Sequence, residues 1–117
     1  MNSKDMQIIK YVERYCREIK NSISRFGDFA IFEKDDDYFK SVGMSLLQIG
    51  ELCNDLLEDF KTANANIPWK MIRGMRNVYA HKYGTIDKAV VWNTINDDIP
   101  VLLSFCREII ESKKEGN

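Results

Sequence analysis

Apolar residues recur along the first part of the chain at alternating spacings of three and four, which is the period of an amphipathic helix. This pattern predicts a helix from about residue 4 to residue 26. Its buried stripe should consist of Ile9, Val12, Cys16, Ile19, Ile23 and Phe26. Gly27 and Asp28 should end the helix, because glycine is the usual residue just past a helix C-terminus.

A second apolar stripe follows the acidic residues 33–37, whose carboxylates can cap a helix that begins near Asp37. The stripe continues to residue 60 and predicts one long helix with Phe39, Val42, Leu46, Ile49, Cys53, Leu56 and Phe60 buried. Gly43 and Gly50 share one side of this helix. They either let another backbone approach closely or merely weaken the helix, and the pattern leaves both explanations open.

The polar stretch 62–66 interrupts the pattern, and Pro68 then fits the first turn of a third helix that runs from Trp69 to about His81. Gly84 should turn the chain, and Asp87 can cap a fourth helix. The buried stripe of that helix is Trp92, Ile95, Ile99, Leu102, Cys106 and Ile109.

Pro100 lies inside the fourth stripe and cannot donate a hydrogen bond to the carbonyl of Asn96. We therefore expect a kink or a short break near residues 97–99. The polar residues 113–117 should form a frayed tail.

These four helices, with short connections and no strand-like alternation, predict an all-α fold: an up-and-down antiparallel four-helix bundle with its fourth helix kinked or split near Pro100. The 117 residues leave room for one domain, residues 1–117. No apolar run approaches the roughly 20 residues of a membrane span, and no signal peptide is evident. We therefore expect a cytoplasmic protein with no membrane partner.

The 17 basic and 18 acidic side chains argue against a protein that coats nucleic acid generally, but they permit one local basic cleft. The three distant cysteines, Cys16, Cys53 and Cys106, suggest neither disulfides nor a zinc site and should be buried, reduced thiols. With a single histidine in the chain, we expect no metal and no cofactor. Acidic pairs such as Glu51 with Asp55 are best interpreted as a solvated helix face.

The third predicted helix places Arg76 where an arginine is unusual, within or at the margin of an apolar arc. That arc contains Trp69, Ile72, Met75 and Tyr79, whereas Arg73, Asn77 and His81 line the opposite, polar side. Arg76 could have a chemical role. It could equally snorkel or form an ion pair with an acid of the second helix.

Arg76 and His81 are suited to cleaving RNA without a metal. A histidine can move a proton of the ribose 2′-hydroxyl or the leaving 5′-oxygen, and an arginine fork can stabilise charge on the phosphate. The two residues diverge by about 140° on a helix, but a symmetric dimer that pairs two such helices would gather them around one cleft. Gly74 would help these helices to approach.

Several neighbours could support this chemistry. Asn77 could hold the imidazole or the phosphate, and Lys70, Arg73 and Lys82 could supply a basic approach for the RNA backbone. Tyr79 should belong to the core. Tyr83, just past the helix, should be exposed.

The third helix carries the signature R-x4-H-x-Y as Arg76, His81 and Tyr83, with the polar Asn77 directly after the arginine. Similar surroundings are Ile67-Pro68-Trp69, Ile49-Gly50-Glu51, Asp87 followed by Val91-Trp92, and Ile99-Pro100. Together these residues resemble the HepT-like ribonucleases of the HEPN superfamily over nearly the whole chain.

The resemblance implies a helical bundle that forms a homodimer with a shared active-site cleft. It also implies metal-independent endoribonuclease activity on RNA, not DNA, with Arg76 and His81 as the catalytic pair. The implied biological role is the toxin of a bacterial toxin–antitoxin pair. Its implied partner is a minimal nucleotidyltransferase antitoxin, which in some members transfers AMP to the tyrosine matching Tyr83.

Two other hypotheses remain open at this point. Helical domains of the same superfamily also serve as non-catalytic modules that bind nucleotide or position substrate for a partner nucleotidyltransferase. Alternatively, the chain is a plain helical oligomer in which Arg76 forms a salt bridge in the core.

Overall fold

A computed structural model describes residues 1–115 of the chain. The helices are α1 (Ser3–Phe26), α2 (Phe29–Lys34), α3 (Asp36–Asn54), α4 (Glu58–Ala63), α5 (Trp69–His81), α6 (Lys88–Asn93) and α7 (Ile99–Glu115). A 3₁₀ turn, Tyr83–Thr85, follows α5, and a π-helical turn, Thr94–Asp98, joins α6 to α7. No strand occurs in these residues, which confirms the predicted all-α class.

The four long helices pack in the order α5, α3, α1, α7. Helices α3 and α5 are antiparallel, because Gly43 faces Tyr79 near one end and Asn54 is hydrogen-bonded to Arg73 near the other. Helix α7 also reaches the start of α5, where the rings of Trp69 and Phe105 lie 6.0 Å apart. Helix α5 therefore packs chiefly against α3.

Local side-chain chemistry explains where α1 and α3 begin and end. Asn2 accepts a hydrogen bond from the backbone N–H of Asp5 (2.7 Å) and caps α1, and Gly27 ends that helix with a φ of 116°. Asp35 accepts from the N–H of Tyr38 (3.1 Å), which confirms the predicted acidic cap of α3. Such a cap contributes about 1 kcal/mol.

Helix α2 was missed by the sequence interpretation. Its six residues are too few for a helical period to be distinguished from a loop. Phe32 nevertheless fixes it firmly: its ring is fully buried, 5.0 Å from Tyr38 and 5.2 Å from Trp92. A short helix therefore covers one end of the core.

The prediction of one long second helix ending near Phe60 was wrong. Helix α3 ends at Asn54, and a separate short helix, Glu58–Ala63, overlaps the stretch 62–66 that was expected to be irregular. Leu56 lies between the two helices and is buried, so its side chain packs into the core from a non-helical residue. The apolar period alone does not reveal such a break.

The fourth predicted helix is capped as expected, and the irregularity expected before Pro100 is a π-helical turn rather than a break in the helix. Asp87 accepts from the N–H of Ala89 (3.0 Å), and the N–H of Ile99 bonds to the carbonyl of Thr94, five residues earlier. This π-helical turn directly precedes Pro100, which has no N–H to donate. Helix α7 then continues to Glu115, so the predicted frayed tail is wrong as far as that residue; residues 116 and 117 lie outside the described part.

The three cysteines are buried and free, as predicted. They come from α1, α3 and α7, and burial raises the pKa of all three thiols, that of Cys53 to about 12. Apart from Phe26, which is exposed, the residues of the first two predicted stripes lie in the core or pack against it. Within residues 1–115, no helix is both long enough and apolar enough to cross a membrane.

Candidate functional site

The close contact between α3 and α5 depends on two glycines. A Cβ at Gly43 would overlap the ring of Tyr79, and a Cβ at Gly50 would overlap the side chain of Arg76. The α5 backbone comes so near that the Cα of Arg76 would lie only 3.5 Å from the added atom. The glycines therefore permit a close backbone approach, which was one of the two explanations left open by the sequence.

Arg76 is held by a network that uses its whole guanidinium group. Its Nε atom donates to the Oε1 atom of Glu51 on α3, and its Nη2 atom forms an ion pair with the same oxygen. Its Nη1 atom donates to the side-chain oxygen of Asn77, 2.8 Å away. The arginine fork is thus oriented before any ligand is present.

The ion pair with Glu51 accounts for the unusual position of Arg76 on α5. The sequence left open an ion pair between Arg76 and an acid of the second predicted helix, and Glu51 is that acid. However, the pair is at the surface, since the side chains of Arg76 and Glu51 are 32% and 53% exposed. The hypothesis of a salt bridge in the core is therefore wrong, and an anionic ligand could reach the arginine.

The other predicted polar residues of α5 lie on its exposed side. Lys70, Arg73, Asn77 and His81 are all exposed, and their spacing places them on one stripe along the helix. The Nη2 atom of Arg73 donates to the side-chain oxygen of Asn54 (3.1 Å). Because this partner is neutral, it does not offset the positive charge of Arg73.

His81 is the last residue of α5 and is exposed. The hydrogen bonds of Arg76 go to Glu51 and Asn77 and not to His81. Within one chain, the two signature residues are therefore not hydrogen-bonded to each other. After His81, the carbonyl of Lys82 accepts from both the N–H (2.9 Å) and the hydroxyl (3.0 Å) of Thr85. These bonds fix the turn that carries Lys82 and Tyr83.

The two tyrosines near the signature occupy different environments, as predicted. Tyr79 is buried, its hydroxyl has no hydrogen-bond partner among the described residues, and burial raises its pKa. Tyr83 is 42% exposed, while its ring is supported by Phe39 at 5.6 Å and Tyr79 at 6.1 Å. Tyr83 is therefore an exposed tyrosine whose ring is supported by two other aromatic rings.

A concavity between α3 and α5 surrounds the Arg76 network. It is lined by Gly50, Glu51, Asn54, Arg73, Arg76 and Asn77. Sequence reasoning missed the roles of Glu51 and Asn54. The sequence signal for Glu51 is its position next to Gly50, where α5 comes close to α3. That signal can be interpreted only once the antiparallel pairing of α3 and α5 is known. For Asn54 the sequence carries no signal.

The chemistry available in this concavity is that of an anion site. Exposed Arg73 and Asn77 and partly exposed Arg76 line it together with Glu51. An exposed histidine, His81, lies on the stripe of α5 that carries Arg73 and Asn77. Within residues 1–115, no group of three or more histidine, cysteine or acidic side chains is arranged to hold a metal ion. Phosphate groups are natural ligands for a planar arginine fork.

Comparison with known proteins gives the class to which this fold and site belong. Residues 12–109 match the family model described as Ribonuclease HepT-like. The chain belongs to the HepT-like ribonuclease family. No solved structure matches it significantly.

Individual relatives agree with this family. A candidate RNase of Caldanaerobacter subterraneus subsp. tengcongensis is 32% identical over 106 residues, which cover 89% of this chain and 95% of the relative. A candidate HepT ribonuclease of Thermococcus cleftensis is 33% identical over 82% of this chain and 80% of its own. A candidate RNase of Methanocaldococcus jannaschii is 32% identical over 95% of this chain and 92% of its own. These names support ribonuclease activity.

Proposed function

We propose that this chain is a cytoplasmic, metal-independent endoribonuclease and the toxin of a bacterial toxin–antitoxin pair, with Arg76 and His81 as its catalytic residues. The observation that carries the proposal is the partly exposed arginine fork and the exposed histidine on one helix of a HepT-like family member. The described residues supply a general acid or base and an anion-stabilising group, which are the two functions that RNA transesterification needs.

In the proposed reaction, His81 takes the proton of a ribose 2′-hydroxyl while water protonates the leaving 5′-oxygen, or water takes the 2′-proton while protonated His81 gives its proton to the 5′-oxygen. The 2′-oxygen forms a bond to phosphorus while the bond to the 5′-oxygen breaks, which yields a 2′,3′-cyclic phosphate and a 5′-hydroxyl. Arg76 stabilises the negative charge on the phosphoryl oxygens. Asn77, Arg73 and Lys82 hold the RNA backbone near this pair.

The proposed active unit is a homodimer. Arg76 and His81 point in directions about 140° apart on α5, so one helix does not aim both at the same phosphate. Gly74 lies on α5 where an added Cβ would meet no neighbouring part of the chain within 4 Å, which leaves space for the same helix of a second copy. A two-fold axis beside α5 would place Arg76 of one copy near His81 of the other.

Mixing two inactive variants tests the shared cleft. If Arg76→Ala chains and His81→Ala chains are co-refolded, half of the dimers are mixed, and each has one intact site. The mixture should then recover about a quarter of wild-type RNA cleavage. No recovery, despite mixed dimers detected by native mass spectrometry, would show that both residues act from one chain.

Control of the toxin is proposed to act at Tyr83. The tyrosine oxygen would attack the α-phosphorus of ATP bound to a minimal nucleotidyltransferase antitoxin, and pyrophosphate would leave. The AMP phosphate would then occupy the approach to the cleft and repel the RNA backbone. The exposed, supported ring of Tyr83 supports this assignment.

The control step is tested with the purified nucleotidyltransferase partner and ATP. The wild-type chain should gain the mass of AMP and lose RNA cleavage, while Tyr83→Phe should show neither change. Tyr11→Phe is the matched control, because Tyr11 is a comparably exposed tyrosine (44%) on α1. Equal modification of Tyr83→Phe and wild type would contradict the assignment. A chain that never cuts RNA but alters nucleotidyl transfer would instead be the non-catalytic module.

A further inference from the structure

The concavity around Arg76 continues along α5 into a second groove. This groove lies between the end of α3, α4 and the start of α5, and it is lined by residues that include Lys61, Ala65, Pro68, Trp69 and Lys70. Gly50, Asn54 and Arg73 line both depressions, so the two form one continuous path. The groove extends from Arg76 toward the end of α5 opposite to His81.

The charge of this groove is positive where it joins the concavity. Lys70 and Arg73 have no carboxylate partner within residues 1–115, and the hydrogen bond of Arg73 goes to a neutral amide. They are three residues apart on α5, which puts their Cβ atoms about 5–6 Å from each other. At the far end, Lys61 is paired with Glu58 (3.1 Å) and contributes no net charge.

The groove is also lined by an indole ring that is held in a fixed position. The indole N–H of Trp69 donates to the carbonyls of Lys61 (3.2 Å) and Asn64 (3.1 Å), which holds the ring. The rings of Phe60 and Phe105 lie 6.3 and 6.0 Å from it. Trp69 is only half-buried, and the part left over lines the groove beside Pro68.

A pair of cations next to a supported aromatic surface is the arrangement that binds one nucleotide of a single strand. The phosphate needs the cations, and an unstacked base gains free energy by lying against an aromatic ring. A base inside a duplex is stacked and paired, so it could not enter such a groove.

We propose that this groove binds the nucleotide that flanks the cleaved bond of a single-stranded RNA, with its phosphate on Lys70 and Arg73 and its base against Trp69. The proposal rests on the proposed function, because it requires an RNA strand to cross Arg76. It adds a preference for single strands and a subsite that the catalytic pair does not provide.

The test measures binding without cleavage. A fluorescein-labelled, single-stranded 2′-O-methyl oligoadenylate has no free 2′-hydroxyl and cannot be cut. Its affinity is measured by anisotropy across a range of salt concentrations. Loss of one phosphate contact should reduce the slope of log K against log salt by about 0.7 for a single strand. Lys70→Gln should show this reduction.

Two further variants separate the groove from general charge effects. Ala65→Glu puts a carboxylate at the exposed rim of the groove and should weaken binding severalfold. Lys10→Gln makes the same charge change as Lys70→Gln on the exposed face of α1 and should keep the wild-type slope.

Fluorescence tests the contact between the base and Trp69. In a Trp92→Phe background, Trp69 is the sole tryptophan, and the oligonucleotide should quench its fluorescence.

The outcomes distinguish the subsite from the proposed function. If wild type cuts RNA, but Lys70→Gln binds the probe as Lys10→Gln does and Trp69 is not quenched, the subsite is overturned and the nuclease stands. If Lys70→Gln and Ala65→Glu lose binding as expected in a protein that never cuts RNA, the groove is a single-strand binding site, but the nuclease proposal fails and with it the position of the groove beside a cleaved bond.

Discussion

Glu51 of α3 accepts a hydrogen bond from Nε of Arg76 on α5 and forms an ion pair with its Nη2 atom, so the catalytic candidate is already paired with an anion. A phosphate that binds Arg76 must either displace this carboxylate from the guanidinium group or share the guanidinium group with it. Because Glu51 is 53% exposed, it can move into solvent at little cost. Glu51 thus orients the arginine and competes with the substrate.

The first prediction concerns Glu51→Gln. The amide keeps an oxygen that can accept from Arg76 but removes the competing charge, so the KM for RNA should fall. An exposed ion pair contributes up to about 1 kcal/mol, which limits the decrease to about fivefold. Steady-state cleavage of a fluorogenic single-stranded RNA measures this.

Glu18→Gln is the control for this prediction, because it removes another exposed ion pair, with Arg14 at 3.5 Å on α1. Its KM should equal that of wild type. An unchanged or increased KM in Glu51→Gln would mean that the carboxylate does not compete with RNA.

The second prediction concerns the close approach of α3 and α5. Gly50→Ala should destabilise the fold by about 1–3 kcal/mol, because its Cβ would overlap Arg76 and force the two helices apart. Gly74→Ala, with open space around it on the same helix pair, should instead stabilise by about 0.5–1 kcal/mol through helix propensity. Urea unfolding of dilute protein measures both. Equal effects of the two substitutions would contradict the packing.

The third prediction is a loss of stability in alkali. The pKa of Cys53 is raised by burial to about 12, so above an ordinary thiol pKa of about 8.5 the unfolded chain loses a proton that the folded chain keeps. This favours the unfolded state as pH rises toward 12. The decrease is at most about 1.4 kcal/mol per pH unit for each thiol.

Cys53→Ala isolates that contribution. The variant should be less stable than wild type at neutral pH, because it leaves a cavity, but its free energy of unfolding should decrease less between about pH 9 and 12. Urea titrations across this range test the difference. Parallel pH profiles for the two proteins would contradict burial of the Cys53 thiol.

The sequence predicted the parts of the fold that depend on long periodic stretches. Spacing, caps and the chemistry of proline predict helix α1, the start of α3, helix α5 and the irregular turn before Pro100. The short helix α2 and the separation of α4 from α3 could not be predicted, because their positions are set by the burial of Phe32 and Leu56 in tertiary contacts.

The candidate site was predicted to a similar depth. The exposed stripe of α5 and the different environments of Tyr79 and Tyr83 follow from helical geometry. The partner of Arg76 could not be assigned among the acids of the second predicted helix, because that requires the register between α3 and α5. The continuation of the site toward Trp69 depends on the fold of the segment between α4 and α5.

The most direct test of the central proposal is RNA cleavage in the presence of a chelator. Purified wild-type protein and its His81→Ala variant are incubated with total bacterial RNA and EDTA, and the product ends are identified after a denaturing gel. We expect only the wild type to cut, leaving 2′,3′-cyclic phosphate and 5′-hydroxyl ends. Equal cleavage by a well-folded His81→Ala variant, or no cleavage by unmodified wild type, would contradict it.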